Sequence, residues 1–134
     1  MRYTIATFVI SIAAVAASGS LSGQAPKTAN DSVYSEAQAA RGQAIFESTC
    51  TACHDAARFT GGDFMKDWTG KSMGELFKQV SSTMPEDNPG SLKAQQYADV
   101  LAYFLKLNEF PAGSEELPGS AEAMNGIKID KKGF

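Results

Sequence analysis

Apolar residues recur at spacings of three and four in three stretches of this chain, and the pattern breaks between them. Ala39, Gly42, Ile45 and Phe46 form the first set, one apolar face of a helix. Ser35 followed by Gln38 reads as a capping box, so the first helix is predicted from a Ser35 cap to about Ser48. Ser72 with Glu75 repeats that signature and opens a second helix to about Ser81, with Leu76, Phe77 and Val80 inward. Tyr97, Val100, Leu101, Phe104 and Leu107 mark a third, capped by Ser91 and stopped by Pro111 and Gly113. Residues 55–70 read as a low-order stretch with Gly61-Gly62 as its turn, carrying Phe59, Phe64, Met65 and Trp68. Large apolar side chains in such a stretch need something to cover. Met84 to Gly90 holds two prolines and a glycine, which excludes helix and central strand and leaves an extended loop. Residues 114–134 are turn-rich and are expected to lie over the surface. The expected fold class is all-α, with three main helices, no internal repeat and one modest core.

Gly42 stands out within that pattern. A glycine inside a helix costs about 1 kcal/mol against alanine, so close approach of another backbone is its expected reason.

The chemistry concentrates in Cys50-Thr51-Ala52-Cys53-His54. C-x-x-C-H is the attachment motif for c-type haem: two thiols three positions apart each add to one vinyl group, and the following histidine supplies an axial nitrogen. The chain has two cysteines and one histidine, all inside this pentapeptide. A zinc site wants four ligands, usually from two such clusters, and no second cluster exists. A thioredoxin-like dithiol wants a βαβ context, and a disulfide here would close a very small loop. The expected cofactor is one covalently attached haem c, held by Cys50, Cys53 and His54.

The start of the chain agrees with that chemistry. Met1-Arg2 is a short positive start, residues 5–17 are apolar, and small residues fill 18–23. That order is a secretory signal. We expect residues 1–22 to be a leader cut between Ala16 and Pro26, and the mature protein to be periplasmic. Retention of the leader would make it a membrane anchor, but a spanning helix wants about 20 apolar residues, and Thr4, Thr7 and Ser11 dilute this one. Residues 23–34 are small and polar and read as a flexible leader adding nothing to the core. The haem domain is expected over 35–110 and a C-terminal extension over 111–134. Losing Arg2 moves the net charge of -3 one unit further negative. No stripe of lysine or arginine is present, so nucleic acid is not an expected partner.

His54 can fill one axial position, and no second histidine exists for the other. Thioether sulfur is neutral, and Met/His ligation is an electron-transfer arrangement. Met65, only eleven residues from His54, Met73, at a helix start, and Met124, in the tail, read as core filler. Met84 lies thirty residues on in the proline-stiffened loop, with enough chain to round a haem edge. It is the expected distal ligand.

Gly42-x-x-x-Phe46-x-x-x-Cys50-x-x-Cys53-His54, then Met84-Pro85, then Tyr97-Ala98-Asp99-Val100-Leu101-Ala102-Tyr103, resembles the class I c-type cytochromes of bacteria. The resemblance covers about residues 37–107. It implies the small cytochrome c fold, with helices wrapped around one haem. It implies that the first and last helices cross closely, with Gly42 and Phe46 at the contact and Tyr103 as the aromatic of the last helix. It also implies Met84 as distal ligand. One departure is visible. The family often has a proline after the haem motif whose carbonyl accepts from the histidine's other nitrogen, and none lies between His54 and Met84. Another carbonyl, in 60–62, is the expected substitute.

The function expected is one-electron transfer by a carrier that is not an enzyme. Its partners would be a redox donor and acceptor; the resemblance extends to cytochromes serving quinoprotein dehydrogenases, and a terminal oxidase is the matching acceptor. A peroxidase would need an open, polar distal side, and no distal histidine is available. The alternatives are a haem-based ligand sensor, in which Met84 is displaced, and a haem subunit of a larger dehydrogenase complex.

Overall fold

The computed structural model describes residues 27–130; the expected leader and its cleavage window lie outside these residues. Five helices carry the fold: α1 (Glu36–Ile45), α2 (Gly61–Trp68), α3 (Met73–Thr83), α4 (Ala94–Leu107) and the short α5 (Ala121–Met124). Two short strands, β1 (Lys27–Thr28) and β2 (Ile127–Lys128), pair in parallel.

The centre is α4. Ala98, Leu101, Ala102 and Leu105 are fully buried, and Tyr97, Val100 and Phe104 nearly so, the signature of a helix covered on most of its faces. Its first residue, Ala94, is two positions later than a Ser91 cap predicts. Lys93 is the cap, and its N–H donates to Gln96 Oε1 at 2.9 Å.

α1 packs against α4 through Gly42. A Cβ placed on Gly42 would stand 1.8 Å from the Asp99 carbonyl oxygen and 2.9 Å from Val100 N. Only a residue with no side chain permits this approach, which accounts for the helical glycine. The contact is with the backbone at Asp99 and Val100 and not with Tyr103, which meets Phe46 one turn further along α1, ring centroids 5.6 Å apart.

The capping boxes divide. At α3 both halves form: Ser72 Oγ accepts from Glu75 N at 3.1 Å, and Glu75 Oε2 accepts from Ser72 N at 2.7 Å. At α1 only Ser35 does its part, accepting from Gln38 N at 3.0 Å. The Gln38 side chain is fully buried and reaches the tail instead. It donates to Leu117 O at 2.9 Å and to Asp99 Oδ1 at 3.2 Å, and accepts from Leu117 N at 2.8 Å. A buried amide must be satisfied, and tertiary partners outbid the local one.

Three expectations are corrected. Residues 55–70 are not low-order: a 3₁₀ turn (Ala56–Phe59) leads into α2. Gly61, at φ +70°, starts that helix, with its N–H held by Asn108 Oδ1 at 3.0 Å. The segment before Ser35 does contribute to the core. Ala29, Val33 and Tyr34 are buried, and the Tyr34 hydroxyl donates to Phe110 O at 2.7 Å. The tail likewise does more than lie over the surface. Leu117, Met124, Ile127 and Ile129 are buried, and α5 lies so close to α3 that a Cβ on Gly74 would meet Ala121 O at 2.4 Å. Ile129 N donates to Lys71 O, and Gly70 N to Ile129 O, locking the tail onto the entry of α3. Among the described residues no helix is long and apolar enough to cross a membrane.

Candidate functional site

α1 does not end cleanly. From Phe46 to Cys50 the chain widens into a π-helical turn, closed by Thr51 N donating to Phe46 O at 3.2 Å. Such turns are uncommon and concentrate at functional sites. Here the turn ends at Cys50, and the next carbonyl-directed bonds, Cys53 N and His54 N to Cys50 O at 3.1 and 2.9 Å, fold the pentapeptide tightly.

Cys50, Cys53 and His54 line a cavity of about 1160 Å³. That exceeds the ~300–1,000 Å³ of ordinary small-ligand clefts. Phe46 and Phe59 line it beside the pentapeptide, Phe64 and Trp68 from α2, Leu76 and Val80 from α3, and Val100 and Phe104 from α4. Lys71, also on the lining, stands over the Trp68 ring at 4.7 Å, a cation–π contact. Of the large side chains expected in 55–70 to need cover, Phe59, Phe64 and Trp68 face the cavity; Met65 is absent from the lining.

Met84 lines the same cavity, and Met65, Met73 and Met124 do not. Met73 and Met124 are fully buried core residues. The Met84 backbone is held from both sides. Its N–H donates to Val80 O at 2.9 Å, closing α3, and its carbonyl accepts from the Tyr97 hydroxyl at 2.7 Å. Asn88 N to Pro85 O and Gly90 N to Met84 O tie the loop that follows, with Gly90 at φ +80°.

His54 is half-buried, and its Nδ1 is buried without a hydrogen-bond partner. No carbonyl in 60–62 accepts from it. Its neighbour is the Phe59 ring, edge-on at 5.4 Å and 78°. The two thiols are free, and burial pushes the Cys50 thiol up from its ordinary value. Among the described residues no group of three or more His, Cys, Asp or Glu could hold a metal ion.

A family model described as cytochrome C oxidase, cbb3-type, subunit III matches residues 37–104. The chain belongs to this family of c-type cytochrome domains. The comparisons with curated proteins and with solved structures gave no match. The match runs from the second residue of α1 to Phe104 in α4, so the motif, the cavity and the Met84 loop all fall inside it, while 27–34 and 110–130 do not. The protein is therefore a small, mostly helical c-type cytochrome. A cytochrome of this kind binds haem, carries electrons and meets redox partners. The cavity suits such a group: its walls are largely apolar, free thiols stand at its edge, and a histidine with an orphaned nitrogen faces it.

Several residues that hold this cytochrome together carry little sequence signal. Asp99 is buried in an apolar helix and bonds Arg41 Nε at 3.1 Å, while Arg41 Nη2 bonds Glu116 at 2.8 Å. The two carboxylates, Asp99 first, raise the Arg41 pKa, and Arg41 in turn holds the Glu116 carboxyl below its ordinary value. An acid inside the apolar run 97–105 was the available clue, since a buried charge requires a partner. Asn108 is the other. Its position just past α4 reads as a plain helix end, yet it bonds Phe59 O, Phe104 O and Gly61 N at once.

Proposed function

We propose that this cytochrome is an exported, single-haem electron carrier of the class I, His/Met-ligated kind. Cys50 and Cys53 would each add across one haem vinyl group, the sulfur bonding one carbon and the thiol hydrogen going to the other, with no oxidant needed. His54 Nε2 and Met84 Sδ would hold the iron. Bound haem supplies an iron that takes up and returns one electron. The protein's part is to keep that exchange cheap. Two protein ligands would leave no position open to substrate, so no bond chemistry would compete. The apolar lining excludes water, and a neutral thioether favours the ferrous state.

The observation that carries this reading is that Met84, alone among Met65, Met73, Met84 and Met124, shares a cavity with Cys50, Cys53 and His54. The partners would be met in short encounters burying less than about 1,200 Å². A quinoprotein dehydrogenase as donor and a terminal oxidase as acceptor fit this role, the latter in keeping with the family's description. The compartment is the periplasm, after cleavage of the leader between Ala16 and Pro26. The test is intact mass and acid–acetone extraction of protein from the exported fraction. One haem should remain on a chain beginning within that window. Haem that extracts freely would refute the thioethers, and carbon monoxide binding as fast as at an open iron would favour a ligand sensor.

A further inference from the structure

We propose that the Phe59 ring is the positioning residue for the His54 imidazole, in place of a hydrogen bond to Nδ1, and that Asn108 is the clamp that fixes Phe59. The proposal rests on the reading of His54 as an iron ligand.

Three observations meet here. First, His54 Nδ1 is buried and has no hydrogen-bond partner. A ligating imidazole almost always gives its second N–H to an acceptor, which fixes ring orientation and raises ligand basicity. Second, the Phe59 ring packs on the imidazole in a T-shaped pair, ring centroids 5.4 Å apart and planes at 78°. Edge-to-face contact is a preferred aromatic geometry. Third, Phe59 is itself immobilised. It stacks flat on Phe104 at 4.4 Å and 7°, and meets Phe46 edge-on at 5.6 Å. Its carbonyl is taken by Asn108 Nδ2 at 2.7 Å, while Asn108 Oδ1 holds Gly61 N at 3.0 Å and Nδ2 also reaches Phe104 O at 2.8 Å. One amide thus pins both the Phe59 carbonyl and the start of α2 to the end of α4.

Two consequences follow. Without an acceptor at Nδ1, the imidazole would be a weaker donor to a bound iron than a hydrogen-bonded one. Ring orientation depends on side-chain packing, so it responds to ring volume at 59 and not to loop polarity.

The test is NMR of the holoprotein in two oxidation states. In the diamagnetic ferrous form of protein labelled with ¹⁵N-histidine, the Nδ1–H of His54 should be present and lack the downfield shift of a proton given to a carbonyl. In the ferric form, the spread of the haem-methyl resonances reports imidazole orientation. Phe59→Leu should change that spread clearly. Phe59→Tyr, which keeps the ring, should restore it. Phe110→Leu removes a buried aromatic that does not line the cavity and should leave the spread as in the parent. Asn108→Ala should shift it in the same sense as Phe59→Leu but less, and serves if Phe59→Leu does not fold. Equal spreads in the Phe59→Leu and Phe110→Leu proteins, or a carbonyl-bonded Nδ1–H in the parent, would overturn the proposal. Absence of iron-bound histidine resonances from the parent would instead refute the ligand assignment itself.

Discussion

The two segments that bring His54 and Met84 to the cavity are held by different forces. Around the His54 imidazole the contacts are rings: Phe46, Phe59 and Phe104 pack on one another, and Phe59 on the imidazole, with no hydrogen bond to Nδ1. Around Met84 they are backbone hydrogen bonds, from Met84 N to Val80 O and from the Tyr97 hydroxyl to Met84 O. Packing is non-directional and adds up over many atoms. Hydrogen bonds are directional and few, each worth about 0.5–1.5 kcal/mol net. The difference implies a division of labour: the His54 side belongs to the folding core, while the Met84 side is a loop that can be detuned without unfolding the domain.

The largest effect should come from the packed side. Phe46 is 1% exposed and touches Phe59, Tyr103 and Phe104. Phe46→Ala should cost about 3–5 kcal/mol, seen in denaturant unfolding of the holoprotein. A loss below about 1 kcal/mol would remove the contrast.

Next comes the frame both sides share. At Gly42 an added Cβ meets backbone at 1.8 Å, and backbone cannot turn away as a flexible side chain can. Gly42→Val should destabilise by at least the ~1–3 kcal/mol usual for overpacking, against a helix-propensity gain of less than about 1 kcal/mol. A raised melting temperature would contradict the close crossing.

The smallest effect sharpens the loop side. Tyr97→Phe removes the hydroxyl bonded to Met84 O and leaves the buried ring. Stability should fall by about 0.5–1.5 kcal/mol, while added imidazole should bind the ferric iron more readily, because Met84 leaves its place more often. If stability falls and imidazole affinity does not move, Tyr97 belongs to the core and not to the loop.

The sequence made the three main helices legible because each repeats its apolar residues at spacings of three and four, the second over little more than one turn and the others over two or more. The Met84 loop was legible because prolines admit few conformations. The Ser72–Glu75 box was read correctly since both partners are local. The same signature at Ser35 misled in half, because Gln38 has better partners 79 residues away at Leu117. The outer segments were opaque for a related reason. Tyr34, Leu117 and Ile129 are buried on short irregular pieces, too short for a period to betray them. Gly61-Gly62 was read as a turn because glycine marks a helix start and a loop alike. As for the site, the pentapeptide and Met84 stand out from residue chemistry. Phe59 and Asn108 do not, since what each does depends on neighbours brought from α4.

The central claim, that His54 and Met84 together close the iron and make this a carrier, is tested most directly by the ferric spectrum of Met84→Ala beside those of Met65→Ala and Met73→Ala. The account predicts that Met84→Ala keeps its haem, loses the weak far-red sulfur-to-iron band and turns partly high-spin, with a lower reduction potential, while the other two keep the parent spectrum. A Met84→Ala protein with the parent's low-spin spectrum, alongside loss of the band in either of the others, would contradict it.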